Sequence, residues 1–138
     1  MSNSPHVTAV SVAAPYTVTL EDTSGHRWLA DEPLAAGGAD QGPGPHALLL
    51  SSLGACTAIT LRMYAARKGW PLTGVKVDLT FNRDGAPAGG GSDIHRHITL
   101  HGELSEEQRE KLLEIANKCP IHRELTGGVR IFTDLIHT

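Results

Sequence analysis

The chain has 138 residues, 40% of them hydrophobic and 20% charged, with a formal net charge of −3. That size fits one domain able to bury a core, and the acidic balance argues against the basic surface a nucleic-acid binder needs. No uninterrupted run reaches the roughly 20 apolar residues of a membrane span, and the N-terminus lacks a basic segment followed by an apolar one. The expectation is a cytoplasmic protein with neither membrane nor nucleic acid as a partner.

Residues 1–14 are small and polar without a clear period and read as a loose N-terminal arm, which leaves 15–138 as a single domain. "YTVTLED" alternates and is rich in Val and Thr, the mark of a strand; "TSGH" turns the chain, and "HRWLADE" reads as its antiparallel partner. The next segment, "PLAAGGADQGPGP", has Gly or Pro at seven of its thirteen positions and reads as a loop. A loop of that length inside a compact domain is usually functional or disordered.

Pro45 suits the first turn of a helix, and apolar residues continue to about Lys68, with Gly69 placed as a C-terminal stop. This helix is apolar on nearly every side, so it belongs in a buried, central position. One small subunit has too little surface to cover it, which predicts a second subunit. Gly54 costs about 1 kcal/mol against Ala in a helix interior and predicts a close approach by another backbone.

"LTGVKVDLTFNR" alternates as a strand, "DGAPAGGGS" is a hairpin loop, and "DIHRHITLHGEL" returns. Ser105 and Gln108 fit a capping box at the start of a helix that runs to about Lys118. "CPIHREL" begins a short helix after Pro120, and "GGVRIFTDL" reads as a last strand. Hairpins with few, long helices indicate α+β with antiparallel pairing and helices over one face.

Cys56, in the middle of the long helix, and Cys119, after the second, are the two cysteines of the chain. Three readings compete. Both are small core residues, since free Cys is among the most buried types; or Cys56 joins Cys119-x-x-His122 as metal ligands, a thin set for zinc; or they are a reactive pair. In the last case Cys56 attacks an oxidant and Cys119 condenses with the sulfenic acid before over-oxidation. Attack needs a thiolate, hence a nearby cation, and Arg27, His46 and Arg123 are the candidate activating groups. His95, His97 and His101 share one strand face opposite Ile94, Ile98 and Leu100, and read as a solvated face before a metal patch. Trp70 reads as a hydrophobic cap on the helix end.

"GPGPHALLLSSLGACTAITLRMYAARKGWPL" and "ITLHGELSEEQREKLLEIANKCPIHREL" together resemble the OsmC/Ohr family of osmotically inducible and organic-hydroperoxide-resistance proteins, over roughly residues 16–136. The resemblance implies an OsmC-like α+β fold, with antiparallel sheets packed on two long helices in an intertwined homodimer whose active sites lie at the subunit interface. It implies that Cys56 is the peroxidatic cysteine and Cys119 the resolving one. It also implies an organic hydroperoxide as substrate and a dithiol, such as a lipoylated protein, as reductant, with no cofactor or metal. In peroxide-reducing members a Glu ten residues before the first Cys pairs with an Arg of the N-terminal hairpin. Here that position is His46, and Arg27 is the nearby Arg. A non-catalytic dimer that binds a small apolar ligand is the alternative on the same fold.

Overall fold

The structure, a computed structural model, describes residues 4–137; Thr138 and the first three residues of the expected arm lie outside them. The chain divides into an N-terminal unit ending at Leu49 and a C-terminal unit starting at Leu50.

The N-terminal unit is built on a three-stranded antiparallel sheet in the order β1 (Val7–Ser11), β2 (Val18–Asp22), β3 (Arg27–Ala30). β1 corrects the expectation of a loose arm over those residues. Its five exposed residues carry no inward-outward alternation for a sequence pattern to show, and pairing with β2, Val7 opposite Asp22 through Ser11 opposite Val18, holds them extended. The β2–β3 turn closes on Asp22, whose Oδ1 accepts from the amides of Ser24 and His26, both at 2.9 Å.

The Gly/Pro loop that follows is organised around one buried carboxylate. Asp31 accepts the Thr17 hydroxyl at 2.7 Å and the amides of Glu32 at 2.7 Å, Ala39 at 3.4 Å and Gln41 at 3.2 Å. The Thr17 hydrogen bond, supported by these amides against the cost of burial, holds its carboxyl below the usual range. A single 3-10 turn, Leu34–Ala36, sits inside the loop. Gly38 is required there, because a Cβ would collide with the Glu32 carbonyl.

α1 (Pro45–Lys68) begins in the first unit and runs on into the second. Its end is a Schellman motif: Gly69 adopts φ +71°, its N–H donates to the Ala66 carbonyl, and the Trp70 N–H donates to that of Ala65. Leu53, Thr57, Leu61 and Ala65 form a buried stripe at every fourth residue, the spacing that keeps side chains on one helix face. Ile59 and Met63, on other faces, are more than half exposed. By length and hydropathy alone α1 is also long enough to cross a membrane.

The C-terminal unit adds β4 (Gly74–Phe81) and β5 (Ile94–His101), paired antiparallel from Gly74 opposite His101 to Phe81 opposite Ile94. Val75, Val77, Leu79 and Phe81 alternate inward along β4. Gly54 of α1 meets Leu79 of β4: a Cβ would lie 2.9 Å from Leu79 Cδ1. The close neighbour is therefore a side chain and not the backbone expected from the sequence.

α2 (Glu106–Ala116) opens with the full capping box: the Gln108 amide donates to Ser105 Oγ at 3.1 Å and the Ser105 amide to Gln108 Oε1 at 2.9 Å. Leu61 and Ala65 of α1 pack with Leu72, Leu112 and Ala116 as the core, and Trp70 closes its edge. Trp70 also meets the Tyr64 ring edge-on at 5.6 Å between centroids. α3 (Pro120–Gly127) completes the helices.

The last strand expected in "GGVRIFTDL" is not formed among the described residues; 128–137 carry no regular structure. Ile131, Phe132, Leu135 and Ile136 are all more than 80% exposed. The strand-like composition is real, but a strand needs an edge to pair with, and in a single chain this segment has found none. The architecture is α+β, small antiparallel sheets with helices, as the sequence indicated.

Candidate active site

Cys56 and Cys119 meet at the N-terminus of α3. Cys119 is the N-cap residue, extended at φ −64° and ψ 145°, with Pro120 at the first helical position. A proline there removes one amide that would otherwise lack a partner. The next two amides both act on sulfur. The His122 N–H donates to Cys119 Sγ at 3.3 Å, and the Ile121 amide stands near enough to Cys56 to favour its thiolate. The two thiols are neighbours that act on one another, and the Thr60 hydroxyl, one turn along α1, is 4.0 Å from Cys56 Sγ. Cys119 is fully buried and Cys56 half-buried.

Burial pushes the Cys56 thiol up, and the adjacent Cys119 thiol adds to that rise. The Ile121 amide and the Thr60 hydroxyl oppose it without cancelling it. The positive end of the α3 dipole acts in the same sense as the amide.

Arg96 of β5 ties the segments carrying the two cysteines together. Its Nη1 donates to Thr57 Oγ1 at 3.0 Å, and Thr57, next to Cys56 and fully buried, donates its hydroxyl to the Leu53 carbonyl at 2.7 Å. Arg96 Nη2 donates to Asn117 Oδ1 at 2.9 Å and lies 3.1 Å from His122 Nδ1. A guanidinium has no acceptor, so Nδ1 accepts and the imidazole carries its proton on Nε2. Burial first, and then the Arg96 charge, lower the His122 pKa. A cleft of about 460 Å³ opens beside this network, walled by Leu53, Ile98, Leu113 and Leu125 and edged by Arg96 and His122.

None of the three candidate activating groups is among the groups acting on the Cys56 thiol within the single chain. Arg27, on β3 of the N-terminal unit, is exposed and pairs with Glu21 at 3.4 Å. His46 is exposed in the first turn of α1, ten positions before Cys56 in sequence. Arg123 projects an exposed side chain from α3 and is not among the groups acting on the Cys56 thiol.

What the sequence reading missed is the set of groups that do touch the sulfurs or hold them: the Ile121 and His122 amides, Thr57, Thr60, Asn117 and Arg96. Arg96 had a usable signal, since it shares strand parity with Ile94, Ile98 and Leu100 and so stands on the apolar face. The Cys119-x-x-His122 pair is not arranged as ligands, because the imidazole faces Arg96 and only the backbone of His122 meets the sulfur. Among the described residues no group of three or more His, Cys, Asp or Glu side chains could hold a metal ion. His97 and His101 are exposed, and His95 lies 3.9 Å from Asp84.

Residues 37–134 match the family described as OsmC-like protein. The chain is 31% identical over 105 residues to a protein of Mycoplasma pneumoniae named hydroperoxide reductase, covering 70% of this chain and 74% of that one. The crystal structure of an OsmC-like protein from Mycoplasma pneumoniae superposes with a TM-score of 0.76 at 26% identity, over 92% of this chain and 90% of the other. The organic hydroperoxide resistance protein OhrB of Bacillus subtilis shares the fold at a TM-score of 0.56 and 20% identity, over 87% and 88% of the two chains. With its paired cysteines at the head of α3, the chain belongs to the OsmC-like protein family.

Proposed function

We propose that the protein is a thiol-dependent peroxidase that reduces organic hydroperoxides. One observation carries the reading: cysteines 63 residues apart in sequence are neighbours that act on one another beside the first turn of one helix, whose His122 amide donates to Cys119. Core packing alone would not require both sulfurs beside the same helix turn. The relative named hydroperoxide reductase supports the same chemistry.

In this reading the Cys56 thiolate attacks the outer oxygen of the hydroperoxide. The O–O bond breaks, the alcohol leaves with a proton, and Cys56 becomes a sulfenic acid. The Cys119 sulfur then attacks the Cys56 sulfur, water leaves, and a disulfide forms. A dithiol of the lipoyl type returns both thiols by exchange. Half-burial gives Cys56 access to a small organic substrate, and the buried Cys119 is kept from the peroxide.

The protein acts as a homodimer in this reading. Support comes from the apolar surface a single chain leaves open: Ile59 and Met63 on α1, and the 128–137 segment with Phe132 at 87% exposure. The dimer is also the setting in which Arg27, His46 or Arg123 would act as the activating cation. The expected compartment is the reducing cytoplasm, where thiols stay free between turnovers.

The test is consumption of cumene hydroperoxide with dihydrolipoamide. Wild type consumes it and Cys56→Ser does not; a Cys56→Ser variant as active as wild type ends the reading. The upward push of burial on the Cys56 thiol favours a second reading, a non-catalytic dimer that binds a small apolar ligand. Thiols that survive excess cumene hydroperoxide, in a protein that still retains an apolar ligand, would establish it.

A further inference from the structure

We propose that Arg96 is a positioning residue for the sulfur pair: by joining Thr57 to Asn117 and His122, it holds the two segments carrying Cys56 and Cys119 in place for disulfide closure. The proposal rests on the thiol reading above and assigns it a residue outside the cysteines.

The connectivity makes the argument. Thr57 directly follows Cys56, while Asn117 and His122 bracket Cys119 on either side. Arg96 reaches all three, across sequence separations of 39, 21 and 26 residues. The guanidinium suits the task because its donors are fixed in a plane, so three acceptors bonded to it are fixed relative to one another. No ion pair ties Arg96 to a carboxylate among the described residues, so its bonds go to acceptors on the cysteine-bearing segments. Arg96 touches neither sulfur by any of these bonds, so it acts through Thr57, Asn117 and His122.

Disulfide closure needs the two Cα atoms within about 7 Å and the Cβ vectors converging. Freeing α3 from α1 lowers the effective concentration of Cys119 at Cys56, while the opposing effects of the Ile121 amide and the Cys119 thiol on Cys56 weaken together. The attack on peroxide uses Cys56 alone and is less sensitive to that change.

The experiment uses the full chain with Arg96→Met, which keeps length and apolar stem, and Arg96→Lys, which keeps charge and one bond. Asn117→Ala removes a single anchor and serves if Arg96→Met does not fold. Arg109→Met is the control: Arg109 also bridges segments, donating to the Leu100 and Gly102 carbonyls, but meets neither cysteine segment. The first readout is the equilibrium in glutathione buffer, where one glutathione disulfide oxidises the Cys56–Cys119 pair and yields two glutathione thiols. Arg96→Met is expected to make the protein disulfide at least tenfold less favourable, about 30 mV, with Arg96→Lys between it and wild type and Arg109→Met within twofold.

The second readout splits the steps after cumene hydroperoxide. Loss of the Cys56 thiol stays within about threefold of wild type, while disulfide formation slows at least tenfold and a dimedone-trapped sulfenic acid accumulates. A merely structural Arg96 would slow both steps together. Variants at Arg96 that close the disulfide as readily as wild type overturn the proposal. A wild type that closes the disulfide in glutathione but ignores hydroperoxide sinks the peroxidase reading and leaves the Arg96 assignment standing. A wild type that forms no disulfide in either assay overturns both.

Discussion

Thr57→Val isolates the energetics of the Arg96 tether. Thr57 is fully buried, donates to the Leu53 carbonyl at 2.7 Å and accepts from Arg96 Nη1 at 3.0 Å. Valine fills nearly the same volume, so no cavity opens, but both hydrogen bonds go. A bond to a charged donor contributes about 1.5–3 kcal/mol, and the Leu53 carbonyl keeps its helical partner. The methyl that replaces the hydroxyl returns about 0.8 kcal/mol of apolar burial. The difference is a loss of about 1–2 kcal/mol, or roughly 3–6 °C in Tm for a domain of this size. Urea unfolding is the assay, with the midpoint expected to fall and the slope unchanged. Thr57→Ser is the partner measurement: it keeps both bonds and loses about 0.8 kcal/mol of methyl burial. A Thr57→Val variant as stable as wild type would refute the claim that the Arg96–Thr57 bond contributes to the fold.

Three further outcomes follow from the same geometry. Because burial raises the Cys56 thiol, its alkylation by iodoacetamide is expected to keep accelerating with pH beyond the ordinary thiol value of about 8.5; a plateau below pH 8 would contradict this. His122 has a lowered pKa in the native state, so the unfolded chain takes up the proton first as pH falls. Stability is then expected to drop from about pH 6.5 down to the lowered native value and to level off below it. His122→Gln flattens that limb of a urea-midpoint profile, and an unchanged limb would rule His122 out as its source. Light scattering at micromolar concentration is expected to give a dimer, and Ile131→Asp with Phe132→Asp to shift it towards monomer, since both side chains are more than 80% exposed in the single chain. A monomeric wild type would remove the dimer from the proposed function.

The parts of the fold legible in the sequence are those fixed by neighbours in the chain. Pro45 and Gly69 bound α1 because proline presets the first turn and glycine tolerates the left-handed stop. The capping box of α2 is written in four consecutive residues. Long-range pairings were harder to read. β1 gave no alternation to detect because both its faces are exposed, and the 128–137 segment looks like a strand without an edge to join. In the site, the two cysteines announced themselves by type. Arg96 did not, because a contact across 39 residues leaves no local motif, and only its position among Ile94, Ile98 and Leu100 marks it as inward.

α3 begins on sulfur where most helices begin on oxygen, and this makes its first turn a gauge of the redox state of the pair. A neutral thiol is a weak acceptor and a thiolate a strong one, so each deprotonation tightens the hold on the Ile121 and His122 amides. A disulfide sulfur is neutral like a thiol, so oxidation returns the first turn to the weaker hold. Amide hydrogen exchange at Ile121 and His122 is therefore expected to be slower for the thiolate than for the thiol or the disulfide. The start of a helix becomes the dial on which its chemistry is displayed.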